Sequence, residues 1–371
     1  MIGEKVSACS RCYEEEKNGC RSHRVVENKA WRKKLGQETL DSIVAQTEVS
    51  GYLGANIIAI DLRLGNTCNL QCVMCQPRES SKWAAGTKTL VDNLEHDLSL
   101  KGEWQHKSNI KLELYEWYKN ERFWDNLKKL LPHMREIIVG GGEPMLIKEH
   151  LKFIKFCARS GEAKHIHLRY HTNATIMHPE MIPYWAKFQC VEMFVSIDGI
   201  GEIANFIRYP TKWGDVENNL EIFDAMPENV ILRFLISVSA LNIHHLPEFL
   251  VWVKNQRYQK ELSTIQAFVH PGFVHWPKYL NPKVLPKELK KQITSDLEKC
   301  FRDHFENESM DKYQGILNLM NSEDWSSKLP TMVNYLKALD KSRKTDYKKV
   351  FPHFAKGLKV YDQLCVENVN A

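Results

Sequence analysis

Three cysteines lie close together in the segment DLRLGNTCNLQCVMCQPRES. Cys68, Cys72 and Cys75 have the spacing C-x3-C-x2-C, which the ten cysteines of this chain would produce by chance with a probability of about one in a hundred. Thiolates bind iron–sulfur clusters and zinc, and three of them can hold three irons of a cubane while the fourth iron has no protein ligand. The spacing favours such a cluster. Zinc and a metal-free loop are the alternatives, because structural zinc sites usually pair two C-x2-C units.

A glycine-rich turn follows the next apolar run of the chain. In the segment IIVGGGEP, Gly140, Gly141 and Gly142 are followed by Glu143 and Pro144. Consecutive glycines let the backbone approach a ligand closely and leave its N–H and C=O groups accessible, although such turns more often serve packing. Because the turn comes one strand–helix unit after the cysteines, we expect both motifs at the same rim of a parallel sheet.

A second group of cysteines opens the chain, in CSRCYEEEKNGCRSHRVVENKAW. Cys9 and Cys12 form a C-x2-C pair, and Cys20 follows eight residues later. The first residues lack the apolar stretch of a secretory signal, so we expect a cytoplasmic, reducing environment in which clustered cysteines bind metal or catalyse rather than form disulfides.

The elements that position these cysteines alternate between strands and helices. Six runs rich in Ile, Val, Phe and Leu predict strands: Ile57–Arg63, Glu136–Val139, His165–His171, Glu192–Ile197, Val230–Val238 and Thr264–Val269. Amphipathic helical patterns separate them, which is typical of parallel βαβ units. The predicted fold is an α/β protein with a partial (β/α)6 TIM-like barrel over 51–270. A small cysteine-bearing accessory segment (1–50) precedes it and a mostly helical extension (271–371) follows.

Composition excludes several classes of protein. Of the 371 residues, 43% are hydrophobic and 26% are charged, as in ordinary globular proteins and unlike disordered chains. There is no run of 18 apolar residues, so a membrane-spanning helix is not expected. The net charge of +5 is small for this length and gives only weak support for a nucleic-acid partner.

Together, these motifs resemble the radical SAM superfamily. The resemblance runs from about residue 55 to 270 and includes the three cysteines after the first strand, the GGEP turn after the second, HTNAT after the third and VSIDG after the fourth. Met74 stands where members of the family usually have an aromatic residue before the third cysteine.

The resemblance implies a role for each motif. Cys68, Cys72 and Cys75 would ligate a 4Fe–4S cluster whose open iron is chelated by S-adenosylmethionine (AdoMet). The turn Gly140, Gly141, Gly142, Glu143 and Pro144 would bind the methionine amino group through backbone carbonyls. Polar residues at or near later strand ends would contact the AdoMet ribose or carboxylate: Thr172, Asn173, Ser196, Asp198 and Arg233. Reductive cleavage of AdoMet would then give a 5′-deoxyadenosyl radical that abstracts hydrogen from a substrate.

The opening segment resembles the SPASM/twitch accessory motif of the same superfamily. The shared pattern is C-x2-C-Y-x2-E-x2-G-x2-S-x-R-x3-N, with Gly19, Ser22, Arg24 and Asn28 in the matching places. It implies an auxiliary iron–sulfur cluster bound by Cys9 and Cys12, with Cys20, Cys300 and Cys365 as candidates for further ligands. A zinc site and a fold element without metal are the alternatives.

The expected function is therefore hydrogen abstraction by a radical SAM enzyme, with a peptide as the first substrate class and a flavodoxin or ferredoxin as electron donor. A nucleotide, a sugar and a nucleic acid are alternative substrates, and a zinc-stabilised binding protein is the non-catalytic alternative. His171, Tyr170 and Glu192 are candidates for side chains that face the barrel interior.

Overall fold

One parallel sheet organises the molecule. The computed structural model describes residues 7–46, 57–94, 97–109, 112–256, 258 and 264–358. Six strands pair in chain order, each parallel to the next: β1 (Ala59–Leu64), β2 (Glu136–Gly141), β3 (His167–Thr172), β4 (Cys190–Ser196), β5 (Val230–Val238) and β6 (Val269–Phe273). In the described residues β1 and β6 are the two edges of this sheet, so the partial (β/α)6 barrel predicted from the sequence is confirmed.

Helices surround the sheet on its outer face and at both ends of the chain. Before β1 come α1 (Ser10–Lys17), α2 (His23–Leu35) and α3 (Gln37–Ala45). Between the first and last strands lie α4 (Ser81–Asn93), α5 (Leu98–Ser108), α6 (Glu121–Leu130), α7 (Lys148–Ser160), α8 (Ile182–Trp185), α9 (Gly201–Ile207), α10 (Trp213–Asp224), α11 (Leu246–Asn255) and α12 (Ile265–Phe268). The extension contains α13 (Lys287–His304), α14 (Asp311–Asn321), α15 (Leu329–Arg343) and α16 (Tyr347–Val350).

The two faces of the strands differ sharply in burial. Along β5, Leu232 and Phe234 face the helices and are at most 2% exposed, whereas Arg233 and Leu235 between them stay partly exposed. β4 alternates in the same way. Because successive side chains of a strand point to opposite faces, the partly exposed set lines the concave interior of the barrel. The side chains on that face include the polar or charged Glu192, Ser196 and Arg233 as well as the apolar Phe194 and Leu235.

The sixth strand begins later than the sequence pattern indicated. The run Thr264–Val269 was predicted as a strand, but Ile265–Phe268 form the short helix α12 and β6 starts at Val269. The hydroxyl of Thr264 accepts a hydrogen bond from the Ala267 N–H, which caps this helix. Pro271 is tolerated in β6 because the strand lies at the sheet edge.

The helices of the described residues include none that is both long enough and apolar enough to cross a membrane.

Candidate functional site

Backbone hydrogen bonds join the cysteine loop to the glycine turn at the carboxyl ends of β1 and β2. The Gly142 N–H donates to the carbonyl of Gly65 (3.1 Å), and the Glu143 N–H donates to the carbonyl of Thr67 (2.7 Å). A Cβ atom on Gly142 would lie 2.2 Å from the Thr67 carbonyl oxygen. Only glycine fits there, and this close approach places both motifs at one rim, as the sequence predicts.

The three thiols of the loop share one buried environment. Cys72 is buried, Cys68 and Cys75 are partly buried, and the Cys75 thiol donates a hydrogen bond to the Cys72 sulfur. This contact lowers the pKa of Cys72 and raises that of Cys75, while burial raises the pKa of Cys68 to about 11. In the described part of the chain, no three His, Cys, Asp or Glu side chains form a ligand set for a single metal ion. A cubane differs in that each thiolate binds a different iron.

A buried cation faces this loop. One terminal nitrogen of Arg208, Nη1, lies 4.0 Å from the Cys72 sulfur, and the other, Nη2, pairs with the Asp198 carboxylate at 2.8 Å. Asp198 is 0% exposed and also accepts a hydrogen bond from the Ser237 N–H (2.7 Å). Arg208 Nε is buried without a hydrogen-bond partner in the described structure. The guanidinium therefore offers positive charge and an unused donor beside the thiols, which suits anionic cluster ligands or a carboxylate.

Glu143 connects the glycine turn to the end of β3. Its carboxylate accepts hydrogen bonds from the Thr172 hydroxyl (2.8 Å), the Asn173 N–H (2.7 Å) and the Met145 N–H (3.1 Å). Burial raises the pKa of this carboxyl group, and the three hydrogen bonds act in the opposite direction. The Asn173 amide in turn donates to the Asn69 side chain in the cysteine loop (3.0 Å). The strand end and the loop are thus held by one hydrogen-bonded network.

The side chains predicted to contact AdoMet fall into two groups: buried side chains that bond within the protein, and partly exposed side chains on the concave face. Thr172 and Asp198 are at most 2% exposed and their side chains bond within the protein, so in the present geometry they position neighbouring groups. Ser196 ends β4 on the concave face and keeps partial exposure. Arg233 lies on the same face at a lower level, where its Nε is 3.7 Å from Glu192. Ser196 is the one of these four at an accessible strand end.

The other predicted backbone contacts lie at the rim. Gly140 and Gly141 are the last two residues of β2, and Pro144 begins a short 3-10 turn, Pro144–Leu146. Of the three interior candidates, His171 and Glu192 line the concave face and are partly exposed. The prediction that Tyr170 faces the barrel interior is wrong, because its side chain faces the helices, is 0% exposed and meets the Trp185 ring edge-on. The alternation of side chains along the segment HLRYHT already indicated that Tyr170 and His171 face opposite sides of the sheet.

Two residues of the C-terminal extension also reach the cysteine loop. The Tyr335 hydroxyl donates to the Val73 carbonyl (2.9 Å), and Arg343 donates to the Gln71 carbonyl (2.5 Å). The Arg343 guanidinium also lies over the Trp83 ring. Sequence reasoning missed both residues because no local pattern reports a contact between positions more than 250 residues apart.

The N-terminal cysteines separate into two environments. Cys9 and Cys12 are partly buried around the start of α1. Cys20 packs on α14, where a Cβ on Gly315 would lie 2.6 Å from its sulfur, and burial raises the pKa of its thiol to about 11. Cys300 is buried and its thiol donates to the Pro247 carbonyl (3.6 Å). Cys365, the last ligand candidate, lies outside the described residues.

The other residues of the N-terminal pattern form one compact turn. The Ser22 hydroxyl and the Arg24 guanidinium both donate to the Glu16 carboxylate (2.5 Å each). Gly19 has a φ of +78°, a value that favours glycine. Ser22 also caps α2 by accepting from the Val25 N–H. These contacts account for the spacing of the motif from Glu16 to Arg24 and fix the turn that follows the C-x2-C pair.

Comparison with known proteins gives one family and several solved structures. The chain is similar to anSMEcpe with bound AdoMet and Cp18Cys peptide (18% identity, TM-score 0.43, 67% of this chain and 60% of that chain). It is also similar to SuiB of Streptococcus suis, bound to S-adenosylmethionine (13% identity, TM-score 0.35, 72% and 53%) or to the precursor peptide SuiA (11%, 0.35, 76% and 61%). The chain thus spans roughly three fifths or less of the length of these structures. No curated protein sequence matches it.

The family model supplies the assignment. The model described as the radical SAM superfamily matches residues 62–252, about half of the chain, from within β1 to within α11. This range contains the cysteine loop, the glycine turn and the Asp198–Arg208 pair described above. The chain belongs to the radical SAM superfamily.

Proposed function

We propose that this protein is a radical SAM enzyme that abstracts hydrogen from a substrate held inside the open barrel. The observation that supports this function best is the direct bonding of the cysteine loop to the glycine turn at the rim of the sheet, next to a buried cation. When bound, a 4Fe–4S cluster with AdoMet supplies one-electron cleavage of the sulfonium and a 5′-deoxyadenosyl radical.

The residues at the rim fit such a cofactor pair. Cys68, Cys72 and Cys75 provide three thiolates from one loop, which leaves one iron of a cubane for another ligand. The Arg208 guanidinium offsets their negative charge and has an unused N–H. The Glu143 network holds the strand end and the loop in fixed relation, so the cofactor would meet a preformed rim.

The predicted AdoMet contacts divide between direct and indirect roles. In our proposal the turn Gly140–Pro144 and Ser196 touch AdoMet, because they lie at the rim or at an exposed strand end. Thr172, Asn173 and Asp198 position those groups through the hydrogen bonds described above. Arg233 lies lower, at the level where substrate would enter, and is not assigned to the AdoMet carboxylate.

The N-terminal segment is proposed to be a twitch-type accessory unit. Cys9 and Cys12 would bind an auxiliary iron–sulfur cluster, and Cys20 is the nearest further thiol in sequence. Ion pairs from α2 fix this segment to the barrel: Lys34 pairs with Glu136, and Glu27 pairs with Arg169 at 3.2 Å. A peptide is the first substrate class to test, and a flavodoxin or ferredoxin is the proposed electron donor.

Anaerobic reconstitution with iron and sulfide tests the proposed function. With AdoMet and dithionite, we expect the wild-type protein to bind at least one 4Fe–4S cluster and to form 5′-deoxyadenosine. Cys72→Ala should abolish this product because one of three cluster ligands is lost. Cys190→Ala is the matched control, since this partly buried cysteine begins β4 at the opposite end of the strands.

Two results would contradict this function. One is undiminished 5′-deoxyadenosine from Cys72→Ala. The other is a colourless, zinc-loaded wild-type protein that does not cleave AdoMet, which would favour the zinc-stabilised binding protein. For the accessory unit, Cys12→Ala should lower the iron content by up to one cluster while some AdoMet cleavage remains. Unchanged iron and spectra in that variant would remove the auxiliary cluster from the proposal.

A further inference from the structure

Three aromatic rings form a continuous layer on the concave face of the barrel. His171 of β3 stacks on Phe194 of β4 with ring centroids 5.4 Å apart and an interplanar angle of 19°. His270 of β6 meets the same phenyl ring edge-on, also at 5.4 Å. We call His171, Phe194 and His270 the ring platform. The platform reaches from β3 to β6. His171 and Phe194 are in register one level below Ser196, whereas His270 is in register with Leu235, at the level of Ser196.

The rings of the platform keep partial exposure on the face of the sheet opposite the packed core. Phe194 is partly exposed, although its neighbours Met193 and Val195, which face the helices, are 0% exposed. Both histidines of the platform are partly exposed as well. An aromatic side chain with an uncovered surface inside a barrel is available to a ligand, because the apolar core lies on the other side of the sheet.

Both histidines present neutral imidazoles. Burial lowers the pKa of His171 to about 4, and nearby Arg63 acts in the same direction. Burial also lowers the pKa of His270 to about 4, assisted by Lys312. His270 Nε2 lies 3.1 Å from the Ala267 carbonyl and therefore carries the proton, so Nδ1 is left as an acceptor. At neutral pH the platform is aromatic and uncharged.

Charged side chains lie beneath and beside the platform, with Arg233 in register with Phe194, and they pair with one another. Glu192 pairs with Arg169 (3.1 Å) and Arg233 (3.7 Å), and Arg169 also pairs with Glu136 (3.0 Å). Lys34 and Glu27 of α2 complete this group, which we call the ionic floor. Its three cations are each paired with a carboxylate, and His167 also contacts Glu192 (3.1 Å). Because these charged groups are satisfied by one another, recognition of an uncharged group at this depth falls to the rings.

We propose that the ring platform binds an aromatic side chain of the substrate, placed between the ionic floor and the cofactor rim. This inference rests on the proposed function and names the substrate class at that site. Stacked and edge-on ring contacts favour a planar aromatic group over an aliphatic group of similar size. The neutral Nδ1 of His270 could in addition accept a hydrogen bond from a phenol or an indole N–H.

Equilibrium dialysis of the reconstituted holoprotein with AdoMet tests the platform. The probes are N-acetyl-L-phenylalaninamide and N-acetyl-L-leucinamide, which differ in the presence of an aromatic ring and carry no side-chain hydroxyl. We expect the phenylalanine probe to bind up to about tenfold more tightly than the leucine probe, the factor that a ring contact supplies. Phe194→Leu should remove this preference. Phe156→Leu is the matched control, because Phe156 is 40% exposed on α7, outside the barrel.

His171→Asn provides a second variant in case Phe194→Leu does not fold, and it should also reduce the preference for the aromatic probe. Equal affinity of the two probes for the wild-type protein, or an unchanged preference in both variants, would overturn the platform. So would a loss of AdoMet affinity in Phe194→Leu as large as the loss of probe affinity, because the rings would then serve the cofactor. Dialysis requires no turnover, so failure of AdoMet cleavage would refute the proposed function and leave the platform result standing.

Discussion

Removing the charge of Arg208 and removing the charge of Asp198 should shift the reduction potential of a cluster at Cys72 in opposite directions. At 4.0 Å from the Cys72 sulfur, a unit charge contributes about 4 kcal/mol with an effective dielectric constant of 20. For one electron this corresponds to about 170 mV, since 59 mV is a factor of ten in the equilibrium constant. The added electron is spread over the whole cluster, so we expect Arg208→Gln to make the midpoint potential more negative by about 50 to 170 mV.

Asp198→Asn removes the opposite charge and should make the midpoint potential more positive. Arg208→Lys keeps the cation and should restore much of the wild-type value, although it loses the two-sided geometry of the guanidinium. The double variant Arg208→Gln with Asp198→Asn should lie between the single variants, because it removes one charge of each sign. EPR-monitored redox titration of the reconstituted proteins measures all four.

Stability must be separated from this electrostatic effect. Arg208→Gln leaves the fully buried Asp198 carboxylate without its counter-ion, which we expect to lower the free energy of unfolding by about 3–5 kcal/mol. The double variant should recover much of that loss. Urea unfolding gives this comparison, and iron content per chain shows that each variant is loaded. Equal midpoint potentials in Arg208→Gln and Asp198→Asn, or shifts of the same sign in these two variants, would refute the reasoning.

Three further predictions follow from the rim and the interior. Gly142→Ala should prevent the turn from closing on the loop, because its Cβ would lie 2.2 Å from the Thr67 carbonyl oxygen; iron retained after reconstitution measures the loss. Glu143→Gln replaces an acceptor of three hydrogen bonds by a group that also donates, and urea unfolding should show a loss of about 2–4 kcal/mol. Burial would raise the pKa of Glu192, but His167 and the neighbouring arginines outweigh it and lower this pKa to about 2. The stabilisation, up to about 3 kcal/mol, is therefore present above pH 4.5 and lost as pH falls toward 2; unfolding of Glu192→Gln between pH 5 and 3 should lack this decline.

The sequence predicted the elements whose signal is local. The bounds of β5 (Val230–Val238) match the predicted run, because apolar and β-branched residues continue to both ends. The cysteine loop and the glycine turn were placed at one rim by chain order alone. The start of β6 was predicted too early, because the composition of Thr264–Val269 is also typical of a strand. The hydrogen bond that Thr264 accepts stabilises a short helix there instead.

The rest of the site depends on distant contacts that no pattern reports. Arg343 reaches the cysteine loop from α15, and the Phe194 ring acquires its partners from β3 and β6 only after the sheet forms. The motif predicted Asp198 as a cofactor contact, which stays a prediction, but no pattern in the sequence indicated its ion pair with Arg208. The sequence motifs therefore indicated which residues belong to the site, but they did not indicate which partners the side chains contact in the folded protein.

The charged side chains inside the barrel are arranged differently at the rim and below it, and each arrangement suits a different part of the proposed reaction. At the rim, the Arg208 cation lies beside thiols that become anionic when they bind metal. Below it, the rings of the platform carry no charge at neutral pH, and the Arg233 cation at the level of Phe194 is paired with Glu192. Abstraction of a hydrogen atom from carbon needs neither an acid nor a base, so uncharged rings at the proposed substrate level suit this chemistry. The rim therefore has an unused cationic donor beside the thiols, whereas the cations below the rim, Arg233 included, are paired with carboxylates.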